Sequence, residues 1–249
     1  MTFKNKVALI TGSTSGIGRG MAEALLQEGA KVIVNYSKNE EWANETKTLF
    51  KPYGEQVCYI KADVSDEKQV EVMYQKIDEK FQRLDYVINN AAYDVMASIE
   101  DFKLSDFRRE IDVNLIGRFI IIQKAIPLLK KSETPRIINI ASRLGTKPML
   151  DSSAYCMTEA ATIMLTKVCA LELSKYAIKV NTISPSLTLT PLARQSYTEA
   201  EIEASAKKNP SHRVGKIEDT VNLMKFLLKE ESEYINGENI NVNGGILLV

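Results

Sequence analysis

The sequence predicts an α/β fold, a doubly wound parallel sheet with helices on both faces. Short β-branched apolar runs alternate with longer helical patterns along 249 residues, several runs are apolar almost throughout, and no linker, repeat or low-complexity tract breaks the order. Strands buried on both faces read as continuous apolar runs, and strand–helix–strand repeats require parallel pairing.

In order, the expected strands are KVALITG (6–12), KVIVNY (31–36), VCYIKADV (57–64), YVINNA (86–91), RIINIAS (136–142), KVNTISP (179–185) and NINVNGG (239–245). Helical spacing lies between them, near 17–28, 40–50, 66–81, 105–131, 155–175 and 217–229. With right-handed crossovers these elements give a Rossmann-type sheet of about seven strands, in a single domain spanning 1–249.

Composition removes several function classes. Lys+Arg and Asp+Glu both number 32, so there is no positive excess with which to neutralise nucleic-acid phosphates. No apolar run approaches the roughly 20 residues of a membrane span. MTFKNKVALITG runs straight into strand-like sequence with no signal-peptide pattern. Three cysteines, an odd count without a CxxC pair, read as reduced thiols, and a cytoplasmic location is expected. The one histidine, His212, sits in polar NPSHRVGK, which reads as surface and leaves neither a metal site nor a Ser-His-Asp triad.

The first strand–helix junction, ITGSTSGIGRGMAEALL, carries the first chemical signal. Its glycines follow a strand and open a helix with an apolar face (Met21, Ala24, Leu25). Such a loop lets backbone approach a pyrophosphate, which then sits on the helix N-terminus. Gly12, Ser13, Ser15, Gly16, Ile17 and Gly18 are the expected cradle.

The TGxxxGIG spacing resembles the short-chain dehydrogenase/reductase family, and further motifs match in order over essentially the whole chain. NNAA places Asn90 and Ala91 where that family turns against its cofactor, and DVN ends in Asn114, matching a helix asparagine. IINIASRLG puts Ser142 at the catalytic-serine position, and Tyr155 follows 13 residues later, where the family has its tyrosine. SPSLTLT matches the PGxxxT segment through Pro185 and Thr190, with Ser186 in place of the glycine. VIVNYSKNEEWANET and the C-terminal YINGENINVNGG look most like bacterial 3-oxoacyl-acyl-carrier-protein reductases and glucose dehydrogenases.

The resemblance implies a dinucleotide cofactor and reduction of a carbonyl, in a small molecule or on an acyl carrier. At the end of the second strand stand Asn35, Tyr36, Ser37 and Lys38, with no acid to hold ribose hydroxyls. Lys38 and the Ser37 hydroxyl suit a 2′-phosphate, so NADP(H) is preferred and NAD(H) remains possible; Lys38 as a solvated loop charge is the competing reading. Asp63 and Val64 resemble the pair that contacts adenine. By the same resemblance Ser142 polarises the carbonyl, Tyr155 delivers the proton, and Asn114 holds a water in the proton relay.

One position departs from the pattern. The family's lysine, four residues after the tyrosine, is here Glu159. A cation favours a nearby phenolate and an anion disfavours it, so the exchange could cost ~3 kcal/mol or more in phenolate population. Glu159 could instead accept hydrogen bonds from ribose hydroxyls. Lys167 is too far along the helix to substitute, and Arg143 and Lys147 read as an exposed basic loop. Two functions stand: a carbonyl reductase with a modified site, or a catalytically silent relative that binds dinucleotide or a protein partner. The segment 187–212 reads as a substrate lid whose Leu187, Leu189, Leu192 and Tyr197 suit an acyl chain or lid packing, and the resemblance implies a homotetramer.

Overall fold

In a computed structural model, residues 1–249 are described, the side chains of Gln195 and Ser196 excepted. Seven strands form one parallel sheet: β1 (Val7–Ile10), β2 (Lys31–Tyr36), β3 (Val57–Lys61), β4 (Tyr86–Asn89), β5 (Arg136–Ile140), β6 (Lys179–Pro185) and β7 (Asn239–Val242). The order β3-β2-β1-β4-β5-β6-β7 reverses direction between β1 and β4. Each expected strand is found, and several are shorter at their carboxyl ends, where the chain leaves the sheet to build the site.

Alternation along the strands divides the core in two. Val7, Leu9, Ile33, Val87, Ile137 and Val180 point to one face and pack under α3 (Glu67–Phe81), α5 (Arg118–Leu129) and α6 (Ser153–Leu173). Ala8, Ile10, Val32, Val34, Ile88, Ile138 and Ile183 point to the other, under α1 (Gly16–Gln27) and α9 (Ile217–Leu227). Burial on both faces explains the continuous apolar runs of these strands, such as VALI in β1 and VIV in β2. Local signals start the helices between them. Asn39 accepts from the Trp42 N–H to cap α2 (Glu40–Leu49), and Asp66 accepts from the Lys68 and Gln69 N–H groups to cap α3.

The helix expected over 105–131 is in fact α4 (Leu104–Ile111), a π-helical stretch Asp112–Gly117, and α5, continuous in backbone. A π-stretch widens one turn and rotates the side chains within it, and here it holds Asn114. The segment 187–212, expected from sequence to act as a lid, contains α7 (Pro191–Ser196) and α8 (Glu199–Lys208), the latter opened by a Thr198–Glu201 capping box. Among the described residues no helix is long and apolar enough to cross a membrane.

Candidate active site

A cavity of about 490 Å³ is walled by the segments that follow β1 through β6, across the point where strand order reverses. Open α/β sheets bind ligands at this place because the chain ends diverge there and helix N-termini face the gap. Of the residues expected from sequence, Gly12, Ser15, Gly16, Ile17, Asn35, Tyr36, Ser37, Lys38, Asp63, Val64, Asn90, Ala91, Ser142, Tyr155, Pro185 and Thr190 line it.

The glycine loop is braced from β4. The Thr11 hydroxyl accepts the N–H groups of Asn90 and Ala91, each at 3.0 Å, while the Asn90 amide donates to the Thr11 and Gly12 carbonyls at 3.1 and 2.9 Å. Gly12 has φ +60°, and a Cβ there would come 2.8 Å from the Ala91 Cα. Ser15 stands at the N-cap of α1 without a side-chain cap bond, and the first turn carries no acid. First-turn N–H groups therefore face the cavity with the positive end of the helix dipole, a surface that fits a pyrophosphate. Two loop residues expected to touch the ligand do not line the cavity. Ser13 turns its hydroxyl inward to donate to the Ile10 carbonyl at 2.7 Å, and Gly18 packs beneath the loop against the Gly12 carbonyl and the Asn90 amide.

At the far end, Asn35 is a brace as well as a wall. Its amide donates to the Ala62 carbonyl at 3.0 Å and its oxygen accepts from the Gly12 N–H at 3.4 Å. Glu40, the nearest acid along the chain, is tied to Lys61 at 2.6 Å, whereas Lys38 is exposed on the cavity rim and, among the described residues, in no ion pair. Asp63 accepts from Arg109 at 2.7 Å and from the Ser65 hydroxyl at 2.7 Å. Arg109 also lines the cavity and was not evident from the sequence.

The reacting end is built by β5 and α6. Gly145 seats the loop after β5 on α6, since a Cβ there would lie 2.8 Å from the Glu159 carbonyl carbon. This brings Ser142 onto the same cavity wall as Tyr155, with the Ser142 hydroxyl accepting from the Leu144 N–H at 3.1 Å. Burial, then the Glu159 carboxylate, push the Tyr155 phenol well above its ordinary value, against the pull of the Arg118 guanidinium and the Ser142 hydroxyl. Asn114 lies outside the cavity lining. Its amide donates to the Tyr93 carbonyl at 2.8 Å and to the Thr158 hydroxyl at 3.2 Å, and its oxygen accepts from the Tyr93 N–H at 2.8 Å.

Glu159 requires a correction. It is fully buried, does not line the cavity and has no access to ribose hydroxyls. Its Oε1 instead accepts from Arg118 Nη1 at 3.0 Å, and Arg118 also donates to the Thr162 hydroxyl at 2.5 Å. Burial holds the Glu159 carboxyl above the ordinary range in spite of that guanidinium. The cations weighed from sequence play no part at this point. Arg143 lies against the Met149 sulfur, Lys147 reaches the Val249 carbonyl, and Lys167 is exposed. Arg118 escaped notice because it lies on another helix, although one cation in the apolar run LIGRFIII is a visible signal. Of the four residues expected from sequence to suit an acyl chain (Leu187, Leu189, Leu192 and Tyr197), only Leu192 lines the cavity.

Glu110, also missed, is buried one turn before Asn114 and accepts from the Val95 N–H at 2.8 Å. Together Glu110 and Asn114 grip the loop Tyr93–Val95 at the cavity mouth. Burial, outweighing the Val95 hydrogen bond, pushes the Glu110 carboxyl up to about 7, with Asp94, Asp106 and Glu159 adding to the rise. The unfolded chain ionises near 4.5 while the folded protein keeps the proton to about 7. Stability from this group is therefore complete below pH 4.5, falls as pH rises through that window, and stays low above it. Glu110→Gln keeps an acceptor for Val95 and removes the titration. It is expected to stabilise the protein by on the order of 3 kcal/mol at pH 8 and by far less at pH 4.5, measured by urea denaturation at both values. Equal effects at the two pH values would refute this account.

Comparison with known proteins agrees with the geometry. Residues 12–247 match the family model described as "Enoyl-(Acyl carrier protein) reductase". A short-chain type dehydrogenase/reductase of Picea abies is 33% identical over 96% of this chain and 92% of its own. The 3-oxoacyl-[acyl-carrier-protein] reductase FabG of Staphylococcus aureus is 33% identical over 98% of both chains. The solved structure of ElxO with NADP bound superposes with a TM-score of 0.91 at 29% identity, covering 98% of this chain and 100% of that one. With the glycine cradle, the reversal of strand order and the Ser142–Tyr155 pair in place, the chain belongs to the short-chain dehydrogenase/reductase family of NAD(P)-dependent oxidoreductases.

Proposed function

We propose that this protein is an NADPH-dependent reductase of carbonyl compounds, with 3-oxoacyl thioesters as the leading substrate class, in which Ser142 polarises the carbonyl and Tyr155 donates the proton. The observation that carries the reading is that Ser142 and Tyr155 stand together on the wall of the same cavity as the glycine cradle. The bound cofactor supplies a hydride to the carbonyl carbon. The chain does the rest. Ser142 donates toward the carbonyl oxygen, stabilising the negative charge that develops there. The Tyr155 O–H bond breaks as that oxygen takes the proton, leaving alcohol and phenolate, and solvent reprotonates the phenolate. The raised Tyr155 value keeps the phenol neutral, the form this direction requires. Asn114 positions the Tyr93 loop and, with Thr158, the start of α6.

The preference for the 2′-phosphate rests on Lys38 and Ser37 at the rim and on the absence of an acid at the end of β2; the NADP-bound ElxO neighbour is in keeping with it. Ligand-free protein titrated with NADPH and with NADH by calorimetry is expected to bind NADPH about tenfold or more tightly, and Lys38→Glu to abolish that margin. Failure to bind either nucleotide would overturn the reductase reading in favour of a silent relative. The FabG relative supports an acyl-carrier substrate by its name alone, and a homotetramer remains part of the proposal, testable by light scattering.

A further inference from the structure

We propose that Arg118, reaching across from α5, supplies the positive charge that the family carries at the position of Glu159, and that Glu159 serves to hold it beside Tyr155. The inference takes Tyr155 to be the proton donor of the preceding reading. It starts from helix register. Asn114 and Arg118 are four residues apart on one helix, and Tyr155 and Glu159 are four apart on the next. The first pair meets α6 in successive rungs: Asn114 donates to Thr158 at 3.2 Å, and Arg118 to Glu159 at 3.0 Å and to Thr162. The guanidinium thus lies about one turn along α6 from Tyr155, the level at which the family's lysine would stand.

Two further observations give this charge a role at the cavity. Arg118 is only 2% exposed yet forms part of the wall that also carries Ser142 and Tyr155. Its Nε–H has no partner among the described residues, so a donor remains unspent in the buried group. The leading charged influences on the phenol are Glu159 from α6, Arg118 from α5 and Asp94 from the loop after β4; Glu159 bears in turn on Glu110 of α4. Arg118 is the one cation among them. Its partner Glu159 exerts the larger influence on the phenol, so in the intact pair the guanidinium limits the rise at Tyr155 rather than reversing it, and its effect is weaker than that of an unpaired lysine. Arg118 and Glu159 are thus positioning residues that set the proton affinity of Tyr155.

The test reads the phenol directly, without substrate. Protein labelled with carbon-13 at the tyrosine Cζ is titrated by NMR, and Tyr155 is assigned by the signal lost in Tyr155→Phe. In Glu159→Gln the carboxylate is gone and Arg118 is left to act alone; in Glu159→Gln/Arg118→Met both charges are gone, which also removes the hazard of an orphaned buried charge. Tyr155 is expected to ionise about one pH unit or more lower in the first than in the second, a tenfold difference in phenolate. Glu159→Gln/Arg118→Lys is expected to keep most of that shift, as a structural role alone would not require. Identical titrations, or a phenol in Glu159→Gln that stays neutral to the alkaline limit of the fold, would overturn the proposal. Nucleotide binding by the same variants is scored separately, so loss of the reductase reading would not be mistaken for loss of this one.

Discussion

Glu159→Lys, the substitution that restores the family's lysine, is expected to destabilise the protein by about 3–5 kcal/mol and not to improve catalysis. The side chain at 159 is fully buried against the Arg118 guanidinium, 3.0 Å away. A lysine there removes the only carboxylate paired with Arg118 among the described residues and sets two cations together where water cannot screen them. For a domain whose total stability is on the order of 5–15 kcal/mol, this is a large share. The compensated variant Glu159→Lys/Arg118→Met removes the clash and leaves one cation near Tyr155. It is expected to recover most of the lost stability. Urea midpoints of the wild type and both variants decide the matter. A Glu159→Lys single variant as stable as the wild type would show that the pair does not govern this site.

Tyr155→Phe is expected to lower carbonyl reduction by about 10²–10⁴-fold, the usual contribution of a positioned general acid, with NADPH affinity nearly unchanged. The ring is kept, so the packing of α6 and the cavity wall persist; only the phenol hydroxyl beside Ser142 is lost. The wild-type pH profile gives a sign to check. Burial and Glu159 hold the Tyr155 phenol well above its ordinary value, so the neutral donor persists through the neutral and mildly alkaline range. Reduction should therefore show no loss to phenol ionisation across the neutral and mildly alkaline range, while alcohol oxidation, which needs the phenolate, should keep rising with pH. Kinetics of a 3-oxoacyl thioester in both directions check this. A reduction rate that falls with a midpoint near pH 7 would place a different group at the proton-donor position.

Most of the fold was legible because its causes are local. Apolar runs such as VALI and RIINI declare strands buried on both faces, and the glycines of GSTSGIG declare a turn that brings backbone to a phosphate. The same holds for the cofactor end of the site: a loop at the end of a strand occupies one predictable place once the strand order is set. Ser142 and Tyr155 could be paired by their spacing because a single loop links β5 to α6.

What the sequence alone left open arises from contacts between distant segments. That Glu159 faces a cation follows from how α5 packs on α6, and its partner lies 41 residues earlier in the chain. Asn114 and Glu110 hold the Tyr93–Val95 loop through contacts that span 21 and 15 residues of chain. The sequence by itself determined the sheet and the glycine loop that opens its first helix, since each is fixed by pattern over a few neighbouring residues, and through family resemblance it pointed to Ser142 and Tyr155. Only the tertiary structure decided the electrostatics around Tyr155, because charges act through space and burial decides how strongly, whatever their separation along the chain.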